Sequence, residues 1–332
     1  MATPLVISRE HAQRYLLRRH GLLGKTPFVG AQGVKQYVSL VGCVQYDPVD
    51  LCGKSHELSL FSRVDGFTRD MLDELLYRER SLIDYVDKNM GILPAEDWPK
   101  LGRIREYWRE HSRNREQVEA ISADIRALIH EKGCATSQDL PQQDKVSWYW
   151  TDTSLARAAL ESMYYWGELV VHHKTRAVKS YALAEDCLPA ALLAAPNPCA
   201  ERADMQAWQA LRRIHAVGLL PCGASDAWLG VEDFKAESRN ATFDRLLGEE
   251  KIVPVTVEGV KNTLYMPAEE QPLLLAYERP LTSQKHVRFL APLDCMLWDR
   301  KVIRALWDFS YTWEIYTPES KMKYAHYALP VL

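Results

Sequence analysis

The chain has 332 residues, 47% of them apolar and ten of them Trp, enough for several cores and more than one domain usually holds, so about two to four units are expected. A net charge of −3 and a pI near 6.4 exclude a protein that coats nucleic acid through overall basicity, though not one with a local basic groove. Seven cysteines without a C-x-x-C pair exclude a zinc knuckle or thioredoxin-type site, and no run of about 18 apolar residues is present to span a membrane. "MATPLVISRE" contains no signal-peptide core, so free thiols and a cytoplasmic monomer are expected.

In chain order, Ser8 caps a helix through "REHAQRYLLRRHG" that Gly21 ends. Arg9, Arg14, Arg18, Arg19 and Lys25 outnumber Glu10 there, which suits either phosphate contact or a solvated helix face. A short helix in "GVKQYVSL" leads into "VGCVQYDPVD", an extended segment that Pro48 stops. Alternation along it puts Val44 and Tyr46 on one side and presents Gln45 and Asp47 together on the other. The segment "HELSLFSRV" fits helix or strand. "TRDMLDELLYRERSLIDYV" reads as a helix capped by Thr68 followed by a strand before Pro94.

"EQVEAISADIRALIHEKG" is amphipathic through Val118, Ile121, Ile125, Leu128 and Ile129, and Gly133 closes it. "TSQDL" opens a second short helix, and "TSLARAALESMYYWG" is a third, capped by Thr153 or Ser154. The strands "ELVVHH" and "VKSYALAE" follow around a turn at "KTRA". Three helices and a hairpin are the winged-helix plan, and winged helices touch phosphate through the wing, where Lys174, Arg176 and Lys179 lie. His172 and His173 are adjacent in a strand and therefore point to opposite faces, which disfavours a shared metal. After the proline-rich linker "LPAALLAAPNPCA" the plan recurs: "ADMQAWQALRRIHAVG", "ASDAWLG" and "ATFDRLLGEEK" are helical, and "IVPVTVEG" and "TLYMP" form a hairpin. From Val287 onward short aromatic-rich segments suggest a β-rich module.

The fold class expected is α+β, mainly α: winged helices at 1–115 (with the Gln45–Asp47 strand), 116–190 and 200–280, then a β-rich region at 285–332. In "LAPLDCMLWDRK", Asp294 and Asp299 could be an acid–base pair, but a buried Asp–Arg pair pinning the C-terminal region is the better reading. No Walker loop, dinucleotide fingerprint, zincin or nucleophile-elbow motif occurs.

Taken together, "VQYDPVD…GKSHELSLFSR", "GELVVHHKTRAVKSYALAEDCLP" and "APLDCMLWDRK…FSYTWEIYTPESKMKYAHYALPVL" resemble the YcaQ/AlkZ-like bacterial DNA glycosylases in the same order over nearly the whole chain. The resemblance implies tandem winged helices in a C-shape with a small barrel-like C-terminal region, and no metal or organic cofactor. It implies excision of N7-alkylguanine-type bases and unhooking of interstrand crosslinks in double-stranded DNA. In the branch marked by Gln, a hydrophobic residue and Asp, Asp47 stabilises the sugar cation or activates water and Gln45 positions that water. Lys54, His56 and Arg63 match the family's basic positions near DNA or Asp47, and Arg300 in the WDR tract is a further DNA contact. Two departures stand out. Tyr85-Val86-Asp87-Lys88 replaces the family's Trp- and His-containing "YWxH", with Lys88 as a substitute cation for phosphate. Family members also continue past "ALPVL", so the resemblance implies either a truncated form or a barrel incomplete at Leu332. The same scaffold without catalysis would be a winged-helix DNA-binding regulator.

Overall fold

The computed structural model describes residues 4–149, 151–277 and 287–332. It is a mixed α/β chain that forms two compact units, one of 1–72, 87–93 and 203–332 and the other of 73–86 and 94–202. Residues 278–280 and 285–286, which fall at expected module boundaries, lie outside the described residues.

Local rules place most helices. Ser8 accepts from the His11 amide to start the helix Arg9–Arg19, and Gly21 (φ +69°) turns the chain beyond it. Thr68 accepts from Met71 ahead of Arg69–Tyr77. In the second unit, Ser154 caps Leu155–Tyr165, and the helix Arg115–Lys132 buries Val118, Ile125 and Ile129 and stops at Gly133 (φ +81°). The stretch expected as a helix at "TSQDL" is instead a turn: Asp139 accepts from the Thr136 amide and hydroxyl at 2.8 and 2.7 Å, a closure that competes with helix formation. The ambiguous "HELSLFSRV" folds as the helix Ser55–Phe61.

In the first unit a four-stranded sheet runs in the order Leu5–Ile7, Ile252–Val257, Leu264–Pro267, Leu220–Pro221. The hairpin of the middle pair was expected, whereas the parallel pairing of Leu5 with Val255 joins segments 250 residues apart. Its core gathers Ile7, Tyr15, Leu16, Val255, Met266, Leu290, Val302 and Leu306. In the second unit, Leu169–Thr175 pairs antiparallel with Val178–Leu183 about a tight turn, where exposed Arg176 has φ +57°. The register shifts between Val171 and His173, which makes His172 the extra residue of a β-bulge. Strict alternation therefore fails there, and the two histidines are not sent to opposite faces.

The expected β-rich character at the C-terminus is not found among residues 287–332. They contain one bridge, Phe289 with Val331, and the helix Arg300–Trp307, whose N-cap Asp299 accepts from Lys301 and Val302. A carboxylate just before a helix with a strongly one-sided apolar face outweighed the aromatic density on which the strand reading rested.

Arg63, expected at DNA, is wholly buried. It donates to Asp294 at 2.7 Å, to the Ser59 carbonyl at 3.0 Å and to the Ser62 hydroxyl at 2.7 Å, with neither side chain of the ion pair exposed. Asp294 is thus pinned by an Arg 231 residues earlier rather than by its neighbours. Three of the N-terminal cations are likewise used internally. Arg19 binds Glu270 at 2.5 and 2.8 Å, Arg18 lies over the Tyr277 ring, and Arg14 donates to the Tyr277 carbonyl.

Arg63→Met leaves the Asp294 carboxylate buried without its partner, and a loss of about 3–5 kcal/mol is expected in urea denaturation. The double change Arg63→Met/Asp294→Leu should recover most of it. A single variant within about 0.5 kcal/mol of wild type would rule the pair out as a tie between these segments.

Candidate active site

The strand Val44–Gln45 pairs antiparallel with Asn89–Pro94, setting Gln45 opposite Gly91, and the Tyr46 amide extends the ladder by donating to the Met90 carbonyl at 2.8 Å. Alternation gives Cys43, Gln45 and Asp47 one face. Along it the environment changes from fully buried Cys43, through Gln45 at 7% exposure, to half-buried Asp47. Gly91 keeps that face open, because a Cβ there would collide with the Cys43 sulfur.

Asp47 is held by a short local closure. Its Oδ1 accepts from the Val49 amide at 2.8 Å across Pro48, an Asx turn that fixes the carboxylate while the chain leaves the sheet. Partial burial pushes its pKa above the ordinary carboxylate value, against the opposing pull of the Val49 amide. Gln45 is the more telling residue. Its Oε1 is buried and accepts no hydrogen bond among the described residues, an arrangement that costs about 1–3 kcal/mol unless something else supplies a donor.

Tyr46 points away from this face and packs on the buried His56 ring at 4.8 Å between centroids. It is partly buried, unlike Val44 on the same side of the segment. His56 is also 4.0 Å from Glu57, which accepts the charge of Arg69 at 2.7 Å and lies 3.6 Å from Lys54. Lys54, with a quarter of its side chain exposed, stands at the N-terminal edge of Ser55–Phe61. The structure thus brings Gln45, Asp47, Tyr46, His56 and Lys54 into one stretch of the first unit.

Sequence reasoning missed Tyr327. Its hydroxyl donates to the Gly53 carbonyl at 3.0 Å, and burial first, then the charges of Cys52 and Asp47, raise its pKa. Its signal was present in the "YAHYALP" tract, but only three-dimensional closure places it beside the loop after Asp47.

The other expected contacts divide. Arg300, with 55% of its side chain exposed, lies 3.9 Å from Asp226. In the second unit Arg176 is exposed at the hairpin turn. Lys174 instead binds buried Asp84 at 2.5 Å, and Lys179 lies 5.1 Å from the Tyr164 ring centroid. Burial opposes ionisation of Asp84, but Lys174 overrides it and holds the carboxyl below its usual range.

The altered segment at 85–88 has no phosphate-facing cation. Asp87 is buried between Arg212 at 3.2 Å and Arg213 at 2.5 Å. Lys88, 6% exposed, sits 4.9 Å over the Trp298 ring. Burial, then Arg213, lowers Lys88 from 10.5 to about 8.

A family model described as "DNA glycosylase AlkZ-like" matches residues 38–332. These residues include the Gln45–Asp47 segment, the whole second unit, most of the first and the Asp294 tract, and the chain belongs to the AlkZ-like DNA glycosylase family. Among solved structures, Streptomyces sahachiroi DNA glycosylase AlkZ matches with a TM-score of 0.57 over 88% of this chain and 77% of that one, at 14% identity, which marks a shared fold.

Lys88 gives a pH-dependent prediction. Between about pH 8 and its ordinary value the unfolded chain binds the proton that the folded chain releases, so stability rises with pH there. The burial penalty is fully present below about 8. Lys88→Met should therefore gain about 2 kcal/mol at pH 7 and flatten the rise above pH 8 in urea titrations. Destabilisation at pH 7 with the rise intact would contradict this.

Proposed function

We propose that this protein is a monofunctional DNA glycosylase that excises N7-alkylguanine-type bases and unhooks interstrand crosslinks made through them. The observation that carries the proposal is the orphaned, buried Gln45 oxygen beside a half-buried carboxylate on the same strand face. A water donating to Gln45 Oε1 satisfies that acceptor and is placed for Asp47. No helix among the described residues is long and apolar enough to cross a membrane, which agrees with a DNA substrate but does not select it.

An N7-alkylated guanine is cationic and leaves without strong acid assistance. As the bond from N9 to the sugar breaks, its electron pair neutralises the base and positive charge develops on the sugar. The Asp47 carboxylate stabilises that charge. The water held by Gln45 adds to C1′ and gives its proton to Asp47, leaving an abasic site. No lysine nucleophile is needed. A crosslinked base cannot be drawn alone into a deep pocket, and a carboxylate carried on a half-exposed strand end suits attack without full base flipping.

In this reading the two helix-and-hairpin repeats are winged helices, the exposed Arg176 at one hairpin turn and Arg300 meet phosphate, and Lys54 and His56 support the substrate near Asp47.

The direct experiment is excision from a duplex carrying 7-methylguanine, with alkali used to cut the abasic sites. Asp47→Asn should lose at least about a hundredfold in rate while binding DNA as wild type does. Tight, salt-sensitive binding with no excision of several N7 lesions by wild type would assign a non-catalytic DNA-binding protein instead. The acid limb of kcat/KM should lie above 3.8, the ordinary Asp value, because burial raises Asp47 and only its ionised form acts. A limb at or below the ordinary value would remove Asp47 as the titrating group.

A further inference from the structure

A cluster that the repair chemistry does not use lies on the hairpin of the second unit. The bulge at His172 brings its Nδ1 to 2.8 Å from that of His173, with the rings crossed at 78°. Cys134 follows the glycine that ends Arg115–Lys132. Its neighbour Ala135 exchanges two backbone hydrogen bonds, of 2.9 and 2.8 Å, with Tyr181 on the hairpin. Backbone pairing therefore delivers the thiol to the histidines, and one donor atom from each of the three residues lies within 4.8 Å of the others.

We propose that Cys134, His172 and His173 form a binding site for one zinc-type divalent cation, as a thiolate and two imidazoles, with water in the fourth position. One sulfur and two nitrogens are a borderline-soft donor set that suits zinc better than magnesium or calcium. Tetrahedral zinc sets its donors about 3.3–3.6 Å apart, so small side-chain rotations that draw the thiol in and part the rings complete the geometry. His173 Nε2 is 3.3 Å from Ser180 Oγ. Donation of the Nε2 proton to that hydroxyl leaves the Nδ1 lone pair facing the cluster, the outer-shell arrangement typical of metal-bound histidine. At 2.8 Å without a metal, one Nδ1 must carry a proton for the other; when the cation binds, that ring moves its proton to Nε2 and the Cys134 thiol releases its proton to solvent.

The surroundings are mixed in charge. Arg80 donates to the Val171 carbonyl at 2.8 Å and stands 3.5 Å from both the His172 carbonyl and Cys187 Sγ. The Arg80 charge repels a cation, and the Cys134 thiolate offsets it. Cys187, engaged by Arg80, is not needed as a ligand. The metal would tie the segment after Gly133 to the hairpin by a route independent of Asp47.

Cobalt reports on the site without any activity measurement. Full-length protein, reduced, chelator-treated and desalted, is titrated with Co²⁺ and then Zn²⁺, with far-ultraviolet circular dichroism as a check on folding. One equivalent of Co²⁺ should bind with a thiolate-to-cobalt charge-transfer band, and one equivalent of Zn²⁺ should abolish that band. Cys134→Ser should lose the band, His172→Ala and His173→Ala should weaken binding at least tenfold or so, and Cys187→Ser should leave it unchanged. No cobalt binding by wild type, a band that survives in Cys134→Ser, or a band lost in Cys187→Ser overturns the site. Should Cys134→Ser fail to fold, undiminished binding by folded His173→Ala overturns it equally.

Discussion

The ion pair between Arg63 and Asp294, 2.7 Å long with neither side chain exposed, is the constraint on which the candidate site depends. The helix Ser55–Phe61 that precedes Arg63 has seven residues, too few to be stable alone. It is held by the Arg63 pair, by the bond from the Leu293 amide to Ser55 Oγ at 3.3 Å, and by Tyr327 on Gly53. These contacts enclose the loop after Asp47 with residues from the C-terminal end of the chain. Two charges removed from water are tolerable only where their remaining hydrogen-bonding capacity is used, and Arg63 also donates to the Ser59 carbonyl and the Ser62 hydroxyl.

The same device recurs in the first unit. Glu270 takes the charge of Arg19 and accepts from the Tyr15 hydroxyl at 2.6 Å, and Asp87 takes those of Arg212 and Arg213. Many cations that look available in the sequence are therefore spent on internal carboxylates. Of those singled out for DNA, Arg176 and Arg300 are the exposed ones. A chain of net charge −3 can still present positive charge to a duplex if the exposed cations are gathered on one surface.

What was legible in the sequence obeyed local rules. The caps Ser8, Thr68 and Ser154, the terminating Gly133 and the two hairpins follow from residues within a few positions of one another. Alternation likewise puts Gln45 and Asp47 forward as a pair, whose joint role is part of the proposal. Arg63 looks the same in sequence whether it meets phosphate or Asp294, because its partner lies 231 residues away. The parallel pairing of Leu5–Ile7 and the approach of Tyr327 are hidden for the same reason. The bulge at His172 was illegible differently: one unpaired residue reverses every inference drawn from alternation, and it is set by the register of the partner strand.

In the proposed mechanism Gln45 and Asp47 are parts of one device, the first holding the water and the second drawing its proton. Single-turnover excision of 7-methylguanine by wild type, Asp47→Asn, Gln45→Met and the double variant tests that coupling most directly. The double variant should be no more than about threefold slower than Asp47→Asn, because the positioned water has no further use once the carboxylate is gone. Losses that multiply in the double variant, or a wild-type rate in Asp47→Asn, would contradict it.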